Sequence, residues 1–349
     1  MTTKNCIYIN AARQKNTSGK PPIWMMRQAG RYLPQYRKVR EKHTFLEMVK
    51  NPEVATEVTL QPIDIFGFDA AILFCDILVT AEAMGCGLQF IEKKGPVFDK
   101  PIQTQNDILA LSTENIPEKL AYVADAIQLI QKELTPRNIP LIGFAGAPFT
   151  VASYMIEGQS SPDLKNLKKL MYSNPHLFHE LLQKLTTVTL IYLKEQIKAG
   201  VDAIQVFDTW ASHLSFSDYV TFSLPYIRQI IEGLPAEVPK TVFCKNSAAF
   251  APLLAQLPVQ AVSLDWGCSL STMRKTLGHN ITLQGNLDPY ALFASPEILT
   301  QSVQRILQEM NQDPGFIFNL GHGLMPDINP DQVKRVVDLV HSWEGYVNH

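Results

Sequence analysis

Four arginines, Arg27, Arg31, Arg37 and Arg40, crowd the run Trp24-Met-Met-Arg-Gln-Ala-Gly-Arg-Tyr-Leu-Pro-Gln-Tyr-Arg-Lys-Val-Arg40. Widened to residues 13–42, the window holds nine Lys or Arg against one acid, Glu41, in a chain whose net charge is only -2. A guanidinium offers a planar fork of N–H donors and keeps its charge at any working pH, so this cluster suits a ligand bearing several carboxylates or phosphates. A solvated basic face is the plainer reading, but it has no need of the Met-Met, Ala-Gly and Trp24 interleaved here. Asp76 is an isolated carboxylate, preceded by Ala70-Ala-Ile-Leu-Phe-Cys75 and followed by Ile77-Leu-Val79. In such surroundings a carboxylate either has its pKa raised or is held ionised by cations and N–H donors, although a turn at a strand end explains it as well. His322 stands between Gly321 and Gly323, on a backbone that can approach a ligand closely. Tyr154 and Thr209 add hydroxyls. Together these groups bind a polyanion and stabilise charge.

Other chemistries find no constellation. The eight histidines form no HxxxH or HxH pair, and Cys6, Cys75, Cys86, Cys244 and Cys268 form no CxxC pair and no His-x-Cys beside a second Cys. A zinc site needs three or four converging ligands, so no metal is expected. There is no GxSxG for a serine hydrolase and no GxGxxG after the first strand; Gly143-Phe-Ala-Gly146 and Lys93-Lys-Gly-Pro96 read as turns. The near-neutral charge argues against nucleic acid as a partner. No apolar run reaches the ~18 residues of a membrane span, and the N-terminus lacks the apolar region of a secretory signal. Scattered, odd-numbered cysteines fit reduced thiols in a cytoplasmic protein.

The elements that must position these residues follow a repeating phrase. A short apolar run ends in a polar tip at 70–74, 140–144, 203–207, 241–244, 259–264, 281–284 and 315–320, with 23–25 as an eighth candidate. Runs of this kind read as strands buried on both faces. Amphipathic stretches separate them, the longest at 118–134, 175–199 and 296–310. A helix opened by Asn51-Pro-Glu should run to about Ile65 and stop near Gly67. Eight βα units in 349 residues predict an α/β fold, a single (β/α)8 TIM-type barrel over residues 21–349 behind a flexible N-terminal segment, 1–20. A doubly wound sheet is the structural alternative. In a barrel the C-terminal strand ends converge, which would gather Arg27, Asp76, Pro148, Asp208, Thr209, Asn246, Asp265, Asn286 and His322 around one mouth.

Longer motifs carry a resemblance. Pro22-Ile-Trp-Met-Met-Arg-Gln-Ala-Gly-Arg-Tyr-Leu-Pro-Gln-Tyr-Arg37 and Gly143-Phe-Ala-Gly-Ala-Pro-Phe-Thr-Val-Ala-Ser-Tyr-Met-Ile-Glu-Gly158 are similar to the two signatures of the uroporphyrinogen decarboxylase family. Phe74-Cys-Asp-Ile-Leu78, Phe207-Asp-Thr-Trp210 and Asn319-Leu-Gly-His-Gly-Leu324 resemble three further segments, in the family's order. The resemblance implies a homodimeric, cofactor-free barrel that removes CO2 from the four acetate side chains of uroporphyrinogen III, giving coproporphyrinogen III. It implies substrate contacts from Arg27, Gln28, Ala29, Gly30 and Arg31, and from Asp76, Tyr154, Thr209 and His322. It assigns Asp76 to stabilising the transition state; the chemistry of the arginine loop adds Arg27 as the group that positions a carboxylate and a candidate proton donor, alongside protonated Asp76, His322 or a bound water. Many members carry Ser where this chain has Thr209; the hydroxyl is kept. Two rivals remain at this level: a zinc-thiol methyltransferase on a related barrel, and a non-catalytic binder of polyanionic tetrapyrroles.

Overall fold

A computed structural model describes residues 5–91 and 94–345. Strands β1 (Ala71–Ile72), β4 (Leu141–Gly146), β5 (Ala203–Asp208), β6 (Lys240–Cys244), β7 (Ala261–Ser263), β8 (Thr282–Leu287) and β9 (Phe316–Leu320) form one all-parallel sheet in that order. Nearly every residue of these strands is buried, as the unbroken apolar runs require when helices cover one face and the barrel interior fills the other. The helices fall where periodicity puts them. Pro52–Phe66 is capped by the Asn51 side chain, which accepts from Val54 N at 3.0 Å, and it ends on Gly67 at φ 77. Pro175–Ala199 matches its expected bounds.

The eighth strand is reduced to a bridge that joins the two edges of the sheet. Phe318 N donates to Pro22 O at 2.9 Å on the β9 side, and Asp69 N donates to Ile23 O at 2.9 Å on the β1 side. Beyond Ile23 the ladder cannot continue, because the chain turns back at Gln28, whose N–H bonds Met25 O at 3.0 Å. The Gln28 side chain takes over the pairing. Its Oε1 accepts from Met25 N at 3.1 Å and its Nε2 donates to Ala70 O at 3.1 Å, all fully buried. Gln28→Leu would strand one buried N–H and one buried carbonyl, each worth about 1–3 kcal/mol. We expect a loss of about 3 kcal/mol in urea unfolding; an unchanged midpoint would refute this role.

Three sequence expectations change. Residues 7–12 of the segment read as flexible form the helix Ile7–Ala12, and Tyr8, Ile9, Ala11 and Ala12 are buried. They pack with Trp24, Met26, Ala70, Ile142, Ala203, Phe243 and Ile317, so this helix plugs the floor of the barrel and its apolar side chains are its anchor. Gly143 and Gly146 lie inside β4 rather than in a turn: a Cβ on Gly143 would meet Gln196 Oε1 at 2.4 Å, and one on Gly146 would meet Val151 Cγ2 at 2.8 Å. Glycine there serves close packing of helices on the sheet. Of Lys93-Lys-Gly-Pro96, Lys93 lies outside the described residues and Lys94 is in the expected turn, its N–H bonding Ile91 O at 3.1 Å, while Gly95 and Pro96 already begin β3 (Gly95–Phe98), which pairs antiparallel with β2 (Leu88–Ile91).

Candidate active site

The residues that leave the C-terminal strand ends divide by whether the protein already uses their polar atoms. Asp208 is buried and accepts from Thr150 Oγ1 at 2.8 Å and from Ser223 Oγ at 2.5 Å. Asp265 accepts from Asn246 N, Ser247 Oγ and Gly267 N, and Asn286 Nδ2 donates to the carbonyls of Asp265 and Cys268. Asn246 Nδ2 donates to Ser212 O, and Pro148 is the buried first residue of helix Pro148–Glu157. These residues tie the loops together; they do not offer groups to a ligand. Gln28 joins them, since its side chain is spent on the barrel seam. Arg37 donates to Arg31 O and Tyr32 O and so supports the arginine loop from behind, while Arg40 donates to His43 O, past the end of helix Pro34–Arg40.

A second set is free. Among the described residues, the guanidinium groups of Arg27 and Arg31, the hydroxyls of Tyr154 and Thr209 and the ring nitrogens of His322 have no hydrogen-bond or ion-pair partner. Asp76 spends one oxygen on the turn foreseen for it, Oδ1 accepting from Leu78 N at 2.8 Å, and leaves the other without a partner. Burial pushes the Asp76 carboxyl up to about 6, against the lowering effects of the Leu78 N–H and the Arg27 charge; Glu82 adds to the rise. His322 is driven the other way, down to about 3, by burial first and then by the charges of Arg27 and Lys245. Its ring is therefore neutral across the physiological range in the free site. Arg27 electrostatically reaches both groups and sits at φ 62, in the left-handed region. Ala29 and Gly30 are half-buried within the same loop, offering main chain rather than charge.

Aromatic rings floor this mouth. Phe144 meets Phe207 at 5.7 Å, Phe207 meets Phe243 at 6.1 Å and Phe243 meets His322 at 5.9 Å, centroid to centroid. On one wall Tyr154 meets Trp210 at 5.7 Å. The rings meet edge to face, at interplanar angles of 77°, 63° and 66°, and form an apolar base with Arg27 and Arg31 at its edge and Asp76 beside it. Burial also pushes the Asp208 carboxyl up to about 6, but both of its oxygens are already hydrogen-bonded. Among the described residues, no three His, Cys, Asp or Glu side chains gather closely enough to hold a metal ion.

A sequence model of the family described as uroporphyrinogen decarboxylase (URO-D) matches residues 3–343. The chain belongs to the uroporphyrinogen decarboxylase family. Uroporphyrinogen decarboxylase of Geobacter sp. strain M21 is 49% identical over 328 residues, covering 93% of this chain and 96% of that protein. That of Chloroherpeton thalassium is 46% identical over 348 residues and covers 98% of each. A methyltransferase from Methanosarcina mazei superposes with a TM-score of 0.81 over 96% of this chain and 98% of its own, at 18% identity. That likeness extends to the fold, a barrel of the expected class, and not to the chemistry.

For a member of the uroporphyrinogen decarboxylase family, the residues that sequence reading passed over are the three phenylalanines of the floor. A signal for them was present. Phe144, Phe207 and Phe243 are each the last or next-to-last inward position of their strands, and inward positions at strand ends face the mouth in any such barrel. Their apolar character reads as core when only charged groups are searched.

Proposed function

We propose that this chain decarboxylates the four acetate side chains of uroporphyrinogen III to give coproporphyrinogen III, with no cofactor. The observation that carries the reading is the free set: among the described residues, the side chains of Arg27, Arg31, Tyr154, Thr209 and His322 and one oxygen of Asp76 have no hydrogen-bond or ion-pair partner, while Asp208 and Asp265 accept hydrogen bonds on both oxygens. A macrocycle with carboxylates around its rim and N–H groups at its centre supplies what each lacks. Carboxylates match Arg27 and Arg31, inward N–H donors match Asp76, and the apolar pyrrole faces match the phenylalanine floor. Ala29 and Gly30 line the arginine loop, and Gln28 holds that loop in place from behind.

Loss of CO2 from an acetate arm needs somewhere for the C–C bonding electrons to go. Protonating a pyrrole ring carbon creates an iminium-like cation that takes them. CO2 leaves, the exocyclic carbon is protonated to a methyl group, and the ring proton is lost, so each cycle consumes one proton. An ionised Asp76 beside the cation stabilises it more than the neutral ring, which is the condition for lowering the barrier. Arg27 positions a carboxylate; its guanidinium holds its proton too tightly to serve readily as an acid. His322, held neutral, acts as a hydrogen-bonding wall.

The barrel from residue 21 onward, with the helix Ile7–Ala12 packed into its floor, would work as one catalytic unit, in the cytoplasm and as a homodimer. No helix among the described residues is long and apolar enough to cross a membrane, and Cys75, Cys86, Cys244 and Cys268 form no disulfide. Exposed Phe216, Trp266, Tyr290 and Phe293, on loops following β5, β7 and β8, favour a second copy as their cover. The deciding experiment is anaerobic incubation with uroporphyrinogen III, then oxidation and separation of the porphyrins by carboxyl number. Coproporphyrin is the expected product. Binding without loss of carboxyl groups would favour the carrier instead.

A further inference from the structure

Lys245 follows directly on β6, is exposed, and its amine has no hydrogen bond or ion pair among the described residues. The strand sets its direction. Phe243, two residues earlier, packs in the interior cluster with Trp24, Met26 and Ile317, whereas Val242 and Cys244 belong to the outer core. Strand alternation therefore brings Lys245 up on the same side as Phe243, at the mouth. Its charge is felt by His322 after β9 and by His213 after β5, adding to the larger lowering effects of burial and Arg27 on the first and of burial and Lys168 on the second. Around the ring the strand order runs from the 22–24 segment through β1, β4 and β5 to β6, and equally through β9, β8 and β7 to β6. Arg27 and Lys245 thus leave strands on opposite sides of the mouth.

The loop beneath Lys245 is fixed while its amine is not. Asn246, at φ 59, donates its N–H to Asp265 Oδ2 at 2.5 Å. Ser247 Oγ donates to Asp265 Oδ1 at 3.2 Å and accepts from Asp265 N at 2.9 Å. The Cys244 thiol donates to Lys245 O at 3.2 Å. Asp265, which the strand-end rule placed among the ligand groups, instead holds this loop rigid, and a rigid main chain carrying a free cation is the form a binding residue takes.

We propose that Lys245 binds a substrate carboxylate on the side of the mouth opposite Arg27 and so fixes the rotation of the macrocycle over Asp76. The proposal rests on the tetrapyrrole reading of the same site. Cations on one side alone would let a ring with carboxylates on every edge pivot about the arginine loop. A second contact across the floor removes that freedom, which matters when four similar arms must each be brought to one carboxylate.

The test uses the full chain as wild type, Lys245→Gln and Lys245→Arg. Fluorescence titration with uroporphyrin III, the oxidised octacarboxylate, reads binding without turnover, and steady-state assays with uroporphyrinogen III read KM and kcat. For Lys245→Gln we expect roughly tenfold weaker binding, a similar rise in KM and, because a ring free to pivot presents its arms to Asp76 less often, a kcat lowered by about three- to tenfold. Lys245→Arg should recover most of the loss, and raising ionic strength should narrow the gap between wild type and Lys245→Gln. Unchanged Kd and KM in Lys245→Gln would overturn the proposal. Wild type that binds uroporphyrin III but leaves uroporphyrinogen III intact would defeat the decarboxylase reading, while the binding comparison still judges Lys245. Wild type that binds neither would defeat both.

Discussion

Replacing Asp76 by Asn is expected to lower kcat by about 10²–10³-fold with a much smaller change in KM, the usual cost of removing one preorganised group aimed at developing charge. The substitution keeps the size of the side chain and can keep the Leu78 N–H bond through the amide oxygen, so it isolates the charge. Burial holds the wild-type carboxyl up to about 6, which gives the effect a pH signature. If the ionised form stabilises the cation, kcat/KM of the wild type rises with pH through a region near 6 and levels above it, whereas Asp76→Asn shows no such step. Stability should move in the opposite sense. A carboxyl whose folded pKa is raised favours folding less as pH climbs from its ordinary value, 3.8, through about 6. Asp76→Asn should therefore be more stable than wild type at pH 8, by about 3 kcal/mol, with the advantage shrinking as pH falls through 6 and gone below pH ~3, where the carboxyl is protonated folded or unfolded. A variant that is both slower and more stable marks a group kept for chemistry. Near-normal turnover in Asp76→Asn would remove Asp76 from the catalytic role.

Such a signature could not be read from residue order alone, and the reason is instructive about what was legible. The parallel βα arithmetic was visible because each strand is buried on both faces and so spells an unbroken apolar run. The arginine loop, Asp76 and His322 were visible because charge stands out against such runs. The strand-end rule then named Asp208, Asp265 and Asn286 with equal force, and only hydrogen-bond partners separate them from Asp76: three or more donors are spent on Asp265, one on Asp76. Partners lie across the sheet, at separations that local pattern does not encode. Gln28 shows the same limit in reverse. It sits in the middle of the arginine loop, yet its amide bridges Met25 and Ala70 because the first strand is too short to pair there. The helix Ile7–Ala12 was hidden by the polar residues around it, since six residues carry too few turns for a periodic signal.

On the proposed reading, in which the exposed Arg27 guanidinium takes a substrate carboxylate, Arg27→Ala is expected to lower kcat/KM by about 10²-fold. It should also let His322 titrate at higher pH, because the Arg27 charge is one of the forces holding that ring neutral; burial would still keep it below the ordinary value. NMR titration of the His322 ring reads this directly. Gly323→Ala should produce a weaker copy of the same phenotype without deleting any charge. A Cβ on residue 323 would lie 2.4 Å from Arg27 Cδ, 2.7 Å from Cγ and 2.8 Å from Nε. Cγ and Cδ are the stem of the side chain and Nε is part of the guanidinium itself, so the group cannot keep its place by bending only its far end away. Arg27 is already at φ 62, where a non-glycine residue has little backbone freedom left to absorb the push. We expect Gly323→Ala to cost roughly tenfold in kcat/KM on its own and almost nothing when added to Arg27→Ala, which is the coupling that two groups in contact must show. A full tenfold loss on the Arg27→Ala background would mean that Gly323 serves the His322 backbone and not the arginine, and the pairing of the two signatures through this contact would have to be given up.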